Sequence, residues 1–343
     1  MMRSPIGHWF KLGAVRALES PLAVRLLQLP ANERCIILML HRFAATDRHD
    51  GLSVGHDVGA LRRILMELRK HDIALVDVDD CLHGLDSGQP RVGRSKLSVA
   101  FTVDDGYTDV VDVAAPVFAE FDCPVTSFVV PDVVEDRAWF WWDQMDWILR
   151  HSTKRALQAE LNGQPVQLVW TDEASRVQVK AQLEAALKRV SRDAVAGFLD
   201  QLASLADTPL PLRAPSEYRV LSWEAMRAAE RTGMRFGAHS MTHPILSRCD
   251  AAQSRFEIHE SVRRIQAELT NPSRVFCYPN GNDDDYGVRE YDAIRDSGLH
   301  YALSTHPGVV SRHLTTSTPD WRMRVPRFTF DERFGQLVRY FAS

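Results

Sequence analysis

Hydrophobic and polar positions along the chain alternate between two periods. Short apolar runs of strand length occur at Cys35–Leu40, 73–78, 96–103 and 123–130. Between them lie segments with apolar residues at helical spacing. One is 57–72, with Val58, Leu61, Ile64, Leu65 and Leu68, and another is 109–122. The same order resumes late in the chain. SWEAMRAAERTG reads as a helix, MRFGAH as a strand, 251–270 as a helix, SRVFCYP as a strand, VREYDAIRDSG as a helix and YALSTH as a strand. Gly233 and Gly298 stand where two of these helices should stop. Strand–helix–strand alternation predicts an α/β fold with a parallel sheet or barrel. It pauses over about 143–218, where AELNGQPVQLVW reads as a hairpin and the rest as helices. That stretch is expected to be a mainly helical insertion in a single domain spanning 1–343.

The N-terminal stretch carries Trp9, Phe10, Leu12, Val15 and Leu18 at helical spacing, which predicts a helix packed on its own domain. Lys11, Arg16, Glu19 and Arg25 interrupt any continuous apolar region, so no signal peptide is expected. No uncharged apolar run reaches the ~18 residues of a spanning helix. The formal net charge of −4 leaves no basic excess with which to grip nucleic acid. The five cysteines are scattered and form no CxxC pair. Reduced thiols in a cytoplasmic protein fit this better than a disulfide framework.

Three segments carry chemistry, each at the end of a predicted strand, where α/β barrels build their sites. The first is Phe101-Thr102-Val103-Asp104-Asp105-Gly106-Tyr107. Its adjacent carboxylates need a compensating charge unless the segment is an exposed turn. The second is Gly237-Ala238-His239-Ser240-Met241-Thr242-His243. Imidazoles at i and i+4 face one point if the segment is a helical turn, which suits a metal; otherwise they are two surface histidines. The third is Phe276-Cys277-Tyr278-Pro279-Asn280-Gly281, a turn whose amides could point into a site or simply close a tight turn. Two histidines and a carboxylate together make a metal site with open positions for water and substrate.

DDG, then HxxxH, then YPxG is the motif order of the polysaccharide deacetylase family, also called NodB-homology or carbohydrate esterase 4. The chain resembles that family over about 35–142 and 219–330. The likeness extends through IILMLHR, CPVTSFVV, AWFWWDQMDWIL, LSWEAMRAAERTGMRFGAHSMTHPIL and VPRF. It is similar to the branch acting in bacterial envelope or exopolysaccharide synthesis. The resemblance implies a distorted (β/α)-barrel with fewer than eight strands that binds one divalent metal. Zinc comes first, with cobalt, nickel and manganese as alternatives. It implies hydrolysis of an N-acyl group, N-acetyl first, from an amino sugar of a polysaccharide or its precursor, free or carrier-linked. By position, Asp105, His239 and His243 would be the metal ligands and Asp104 the general base. Backbone amides near Tyr278 would face the oxyanion. Tyr107, Tyr278, Trp141 and Trp142 are candidates to stack on a sugar ring, with core packing the alternative for the tryptophans.

Two departures from the family stand out. Cys277 occupies the place of an arginine that contacts the catalytic aspartate, and no Leu-x-His follows residue 300, where only His300, His306 and His313 occur. The strand-like WRMRVPRFTF offers Arg322, Arg324 and Arg327. The reading takes Arg327 as the replacement partner of Asp104, with Arg324 second, and expects Arg327→Ala to spare the melting temperature. Two rival functions stand beside the deacetylase: a deformylase or other amide hydrolase on a lipid-linked or nucleotide sugar, and a carbohydrate-binding barrel without turnover.

Overall fold

A computed structural model describes residues 33–44, 55–87 and 96–342. The N-terminal helix expected from the sequence lies outside them. The chain divides into two compact units: the second comprises Pro131–Ser222, and the first holds the described residues before and after it.

The first unit is α/β. Its elements before the second unit are β1 (Arg34–Leu40), β2 (Phe43–Ala44), β3 (His56–Asp57), α1 (Val58–Lys70), β4 (Ala74–Leu75), α2 (Val78–Ser87), β5 (Leu97–Val103), α3 (Ala115–Glu120) and β6 (Val125–Val129). The second unit contributes α4 (Pro131–Val134), α5 (Trp141–His151), β7 (Ala156–Leu161), β8 (Gln164–Val169), α6 (Glu173–Leu187) and α7 (Arg192–Leu205). The first unit resumes with α8 (Trp223–Glu230), β9 (Arg235–Ala238), α9 (Ala251–Glu268), β10 (Val275–Cys277), α10 (Val288–Asp296), β11 (Tyr301–Leu303), β12 (Val310–Ser311), α11 (Arg312–Ser317), β13 (Phe328–Thr329) and α12 (Phe334–Tyr340).

Nine strands form one sheet ordered β11-β10-β9-β6-β5-β1-β12, with β13 also on β1 and β4 on β5. All pairings are parallel except β1 with β12. All seven residues of β5 are buried, because a central parallel strand is covered on both faces. The two ends of the sheet are joined by the C-terminal segment. Val325 bridges Leu303 of β11, and Phe328 and Thr329 pair with Leu38 and Met39 of β1. Residues 325–329 thus curl the sheet into a distorted barrel. Its interior is packed by Ile37, Ala100, Phe128, Val275, Leu303 and Val325. Gly237 lies where β6, β9 and β10 come closest, and a Cβ there would meet the Phe128 ring at 2.6 Å.

Several boundaries differ from the sequence reading. The strand expected over 73–78 shrinks to two residues. Asp77 accepts from the Asp79 and Asp80 amides at 2.9 and 3.1 Å and so starts α2, a helix the periodicity did not suggest. WRMRVPRFTF is not one strand. It holds a 3₁₀ turn at Trp321–Met323, and Arg322 and Arg324 leave it for Asp86 and Asp283 on the surface.

In the second unit, β7 and β8 form the expected antiparallel hairpin. Helices α5, α6 and α7 bury Leu149, Leu183, Phe198, Leu199 and Leu202 against it. Asp146, fully buried, accepts from Tyr218 Oη at 2.7 Å and Arg150 Nε at 2.8 Å, and meets Arg176 and Lys180 at 3.1 and 3.3 Å. These partners outweigh burial and lower its carboxyl pKa.

Asp77 gives the first unit a pH signature. Burial, then the charge of Asp79, raises its pKa to about 6, against the ordinary 3.8. The folded state therefore holds this proton longer than the unfolded chain does. Stability from this group is full below pH 3.8 and is lost as pH rises to about 6, at a cost of up to ~3 kcal/mol. Asp77→Asn keeps a good cap without the charge. Urea melts should show the variant gaining stability relative to wild type between pH 4 and pH 7; an equal difference at both values would contradict the assignment.

Candidate functional site

The C-terminal ends of the parallel strands meet at one point. β5 runs into Asp104 and Asp105, β9 into His239, and β10 ends on Cys277. The turn after β5 is tight. Asp105 and Gly106 both have positive φ, 71° and 70°, and a Cβ on Gly106 would strike Val129 at 2.6 Å. Asparate-type side chains tolerate this conformation and glycine needs no Cβ clearance, which explains DDG at the sequence level.

The His239–His243 segment is a loop and not the helical turn that the i, i+4 spacing suggested. Ser240 and His243 are left-handed, with φ of 61° and 60°, and the His243 amide donates to Ser240 Oγ at 3.0 Å. The imidazoles still converge. His239 Nε2 and His243 Nε2 stand 3.2 Å apart, and Asp105 Oδ1 lies 3.7 and 3.5 Å from them. Donor atoms around a tetrahedral ion with ~2.0–2.1 Å bonds sit about 3.3 Å apart, so the residues present fit a divalent ion. The chemistry of the donors fits too. His239 Nδ1 is paired with the Cys277 carbonyl at 2.8 Å, which turns Nε2 toward the cluster. Burial lowers the His239 pKa to about 4, so its imidazole is neutral at pH 7, as a ligand must be.

Asp104, 2 % exposed, sits beside this cluster in a separate set of contacts. Arg327 reaches it from the closing segment. Arg327 Nη1 and Nη2 donate to Asp104 Oδ1 and Oδ2 at 2.8 and 2.9 Å, a bidentate pair. The same guanidinium donates to Ser304 O, Thr102 Oγ1 and Cys277 Sγ. Burial opposes ionisation of Asp104, but the charge of Arg327 and its hydrogen bonds override it and hold the carboxyl well below the usual range. Cys277 is small enough to leave the guanidinium room. Burial pushes its thiol pKa well up, so it stays protonated, 3.5 Å from Asp104 Oδ1.

Of the aromatic candidates, the two tyrosines are buried and Trp141 follows the core-packing alternative. Tyr107 is 2 % exposed with Arg42 over its ring at 4.0 Å. Tyr278 is 1 % exposed and stacks on Tyr286 at 3.9 Å. Neither offers an open face to a sugar. Trp141 lies in the second unit, where it packs against that unit's core and meets Trp142 edge-on at 5.4 Å.

One residue escaped the sequence reading. His41 follows β1, and the register pairing Leu40 with Val103 sets it opposite Asp104, whose amide donates to Leu40 O at 2.9 Å. His41 is exposed.

The family model described as Polysaccharide deacetylase matches residues 91–302. The chain belongs to this family. Its fold is similar to that of the Streptococcus pyogenes deacetylase PplD, solved in complex with acetate, with 13 % identity, a TM-score of 0.58 and coverage of 91 % of this chain and 99 % of that one. A de-N-acetylase from Aggregatibacter actinomycetemcomitans gives 11 %, 0.53, and 90 % and 100 %. IcaB from Ammonifex degensii gives 14 %, 0.50, and 91 % and 98 %. No curated protein sequence matches the chain.

Proposed function

We propose that the protein is a metal-dependent hydrolase that removes an N-acyl group, N-acetyl first, from an amino sugar of a bacterial polysaccharide or its precursor. The observation that carries this is the convergence of Asp105, His239 and His243 beside an ionised, arginine-clamped Asp104. In this reading Asp105, His239 and His243 hold the ion. When bound, a divalent ion supplies positive charge for the acyl oxygen and acidifies water. Asp104 accepts the proton of the attacking water. Arg327 keeps that carboxylate ionised and aimed, at a cost in basicity that an acidified water offsets. His41, exposed at the strand end and within charge reach of Asp104, delivers the proton to the departing nitrogen. A barrel without turnover is the weaker reading, since Asp104, Asp105, His239 and His243 stand together.

Zinc is the first choice for an Asp-His-His donor set, with cobalt, nickel and manganese to be compared. Among the described residues no helix is long and apolar enough to cross a membrane. All five cysteines are free thiols, which supports a reducing compartment such as the cytoplasm.

The test is a screen of the purified protein, loaded with each metal, against N-acetyl and N-formyl amino sugars, free and carrier-linked, reading released acetate or formate. Asp104→Asn should keep the metal and lose turnover by at least ~10²-fold. Near-normal turnover in that variant would remove Asp104 from the proton-transfer role.

A further inference from the structure

The loop that carries His243 is strained, and one buried carboxylate outside the site holds it. Glu257, on α9, is fully buried. Its Oε2 accepts from the Thr242 amide at 2.8 Å, and its Oε1 accepts from Thr242 Oγ1 at 2.7 Å and from Gln253 Nε2 at 2.8 Å. Thr242 directly precedes His243, whose φ of 60° is a left-handed conformation uncommon for a residue other than glycine. His239 does not depend on this anchor. It is fixed by its own amide on Val129 O and by its ring on the Cys277 carbonyl.

We infer that Glu257 is a positioning residue for the metal site, acting through Thr242 to aim the His243 imidazole at Asp105 and His239. This rests on the proposed metal-binding role of that triad. A carboxylate is costly to bury, and one whose oxygens take both the amide and the hydroxyl of one loop residue defines that loop far more tightly than a neutral side chain would. Losing it frees His243 alone. The expected result is a weaker ion held in altered geometry, in a protein that still folds.

The measurement is the affinity of the purified protein for Zn²⁺ by chelator competition, together with the visible absorption spectrum of its Co²⁺ form. Glu257→Gln should weaken Zn²⁺ binding by ~10–100-fold, the range seen when outer-shell partners of metal ligands are removed. It should also shift the Co²⁺ bands. Thr242→Ser, which keeps both donors, should bind as wild type does. Thr242→Val, which loses the hydroxyl only, should fall between. Glu290→Gln is the control. That carboxylate, on α10, is 2 % exposed and accepts from Ser254 Oγ on α9, from the Gly287 amide that caps α10 and from Arg289, so its loss should lower the melting temperature without moving the metal affinity. Wild-type affinity and spectrum in folded Glu257→Gln would overturn the inference while leaving the triad intact. So would wild-type binding in Thr242→Val, should Glu257→Gln fail to fold. A wild-type protein that binds no Zn²⁺ would instead overturn the reading on which it rests.

Discussion

Replacing Arg327 with alanine is expected to cost the protein both turnover and stability. From the sequence, Arg327 is a partner of Asp104 whose loss leaves the melting temperature nearly unchanged. The structure puts it at 1 % exposure, with its whole guanidinium engaged by Asp104, Thr102, Ser304 and Cys277. Removing one partner of a buried pair leaves the other charge uncompensated, at a cost of about 3–5 kcal/mol. Asp104 then escapes the penalty by taking up a proton at higher pH, which removes the base. The prediction is therefore a large fall in melting temperature together with a fall in kcat of at least ~10²-fold in the protein that remains folded. Arg327→Lys, which keeps the charge but not the bidentate fork, should recover part of the stability and less of the rate. Thermal melts and steady-state kinetics on the same preparations check this; an unchanged melting temperature in Arg327→Ala would contradict the burial argument.

The second large effect concerns the histidines. His239→Ala/His243→Ala removes both nitrogen donors. Metal content by elemental analysis should fall to background, and acetate release to the level without protein. Some stability should go as well, because the Cys277 carbonyl loses its imidazole partner, worth about 1–3 kcal/mol when left unpaired. Circular dichroism should still show a folded chain, since the core beneath the site is intact. Full metal occupancy in this variant would show that the ligands lie elsewhere.

The alternation of strands and helices was legible because the central strands β5, β6, β10 and β11 are buried on both faces and helices such as α1 on one. β5 and α1 follow directly from their residue patterns. The three motif segments were legible as strand ends, and the fold brings them together. What the pattern could not show was conformation set by single contacts. Asp77 starts a helix where β-branched residues suggested a strand. Ser240 and His243 adopt left-handed backbone, which i, i+4 spacing does not report. The route of residues 325–329 depends on pairing with both β1 and β11, contacts more than twenty residues away in sequence. That route brings Arg327 to Asp104 and to the Cys277 thiol.

The central claim is that one divalent ion, held by Asp105, His239 and His243, is required for deacylation. The most direct measurement strips the wild-type protein with a chelator, verifies removal by elemental analysis, and follows acetate release as a divalent ion is returned stepwise. The account predicts that release falls to the level without protein and recovers to a plateau at one equivalent per chain. Full turnover in protein shown to be free of metal would contradict it.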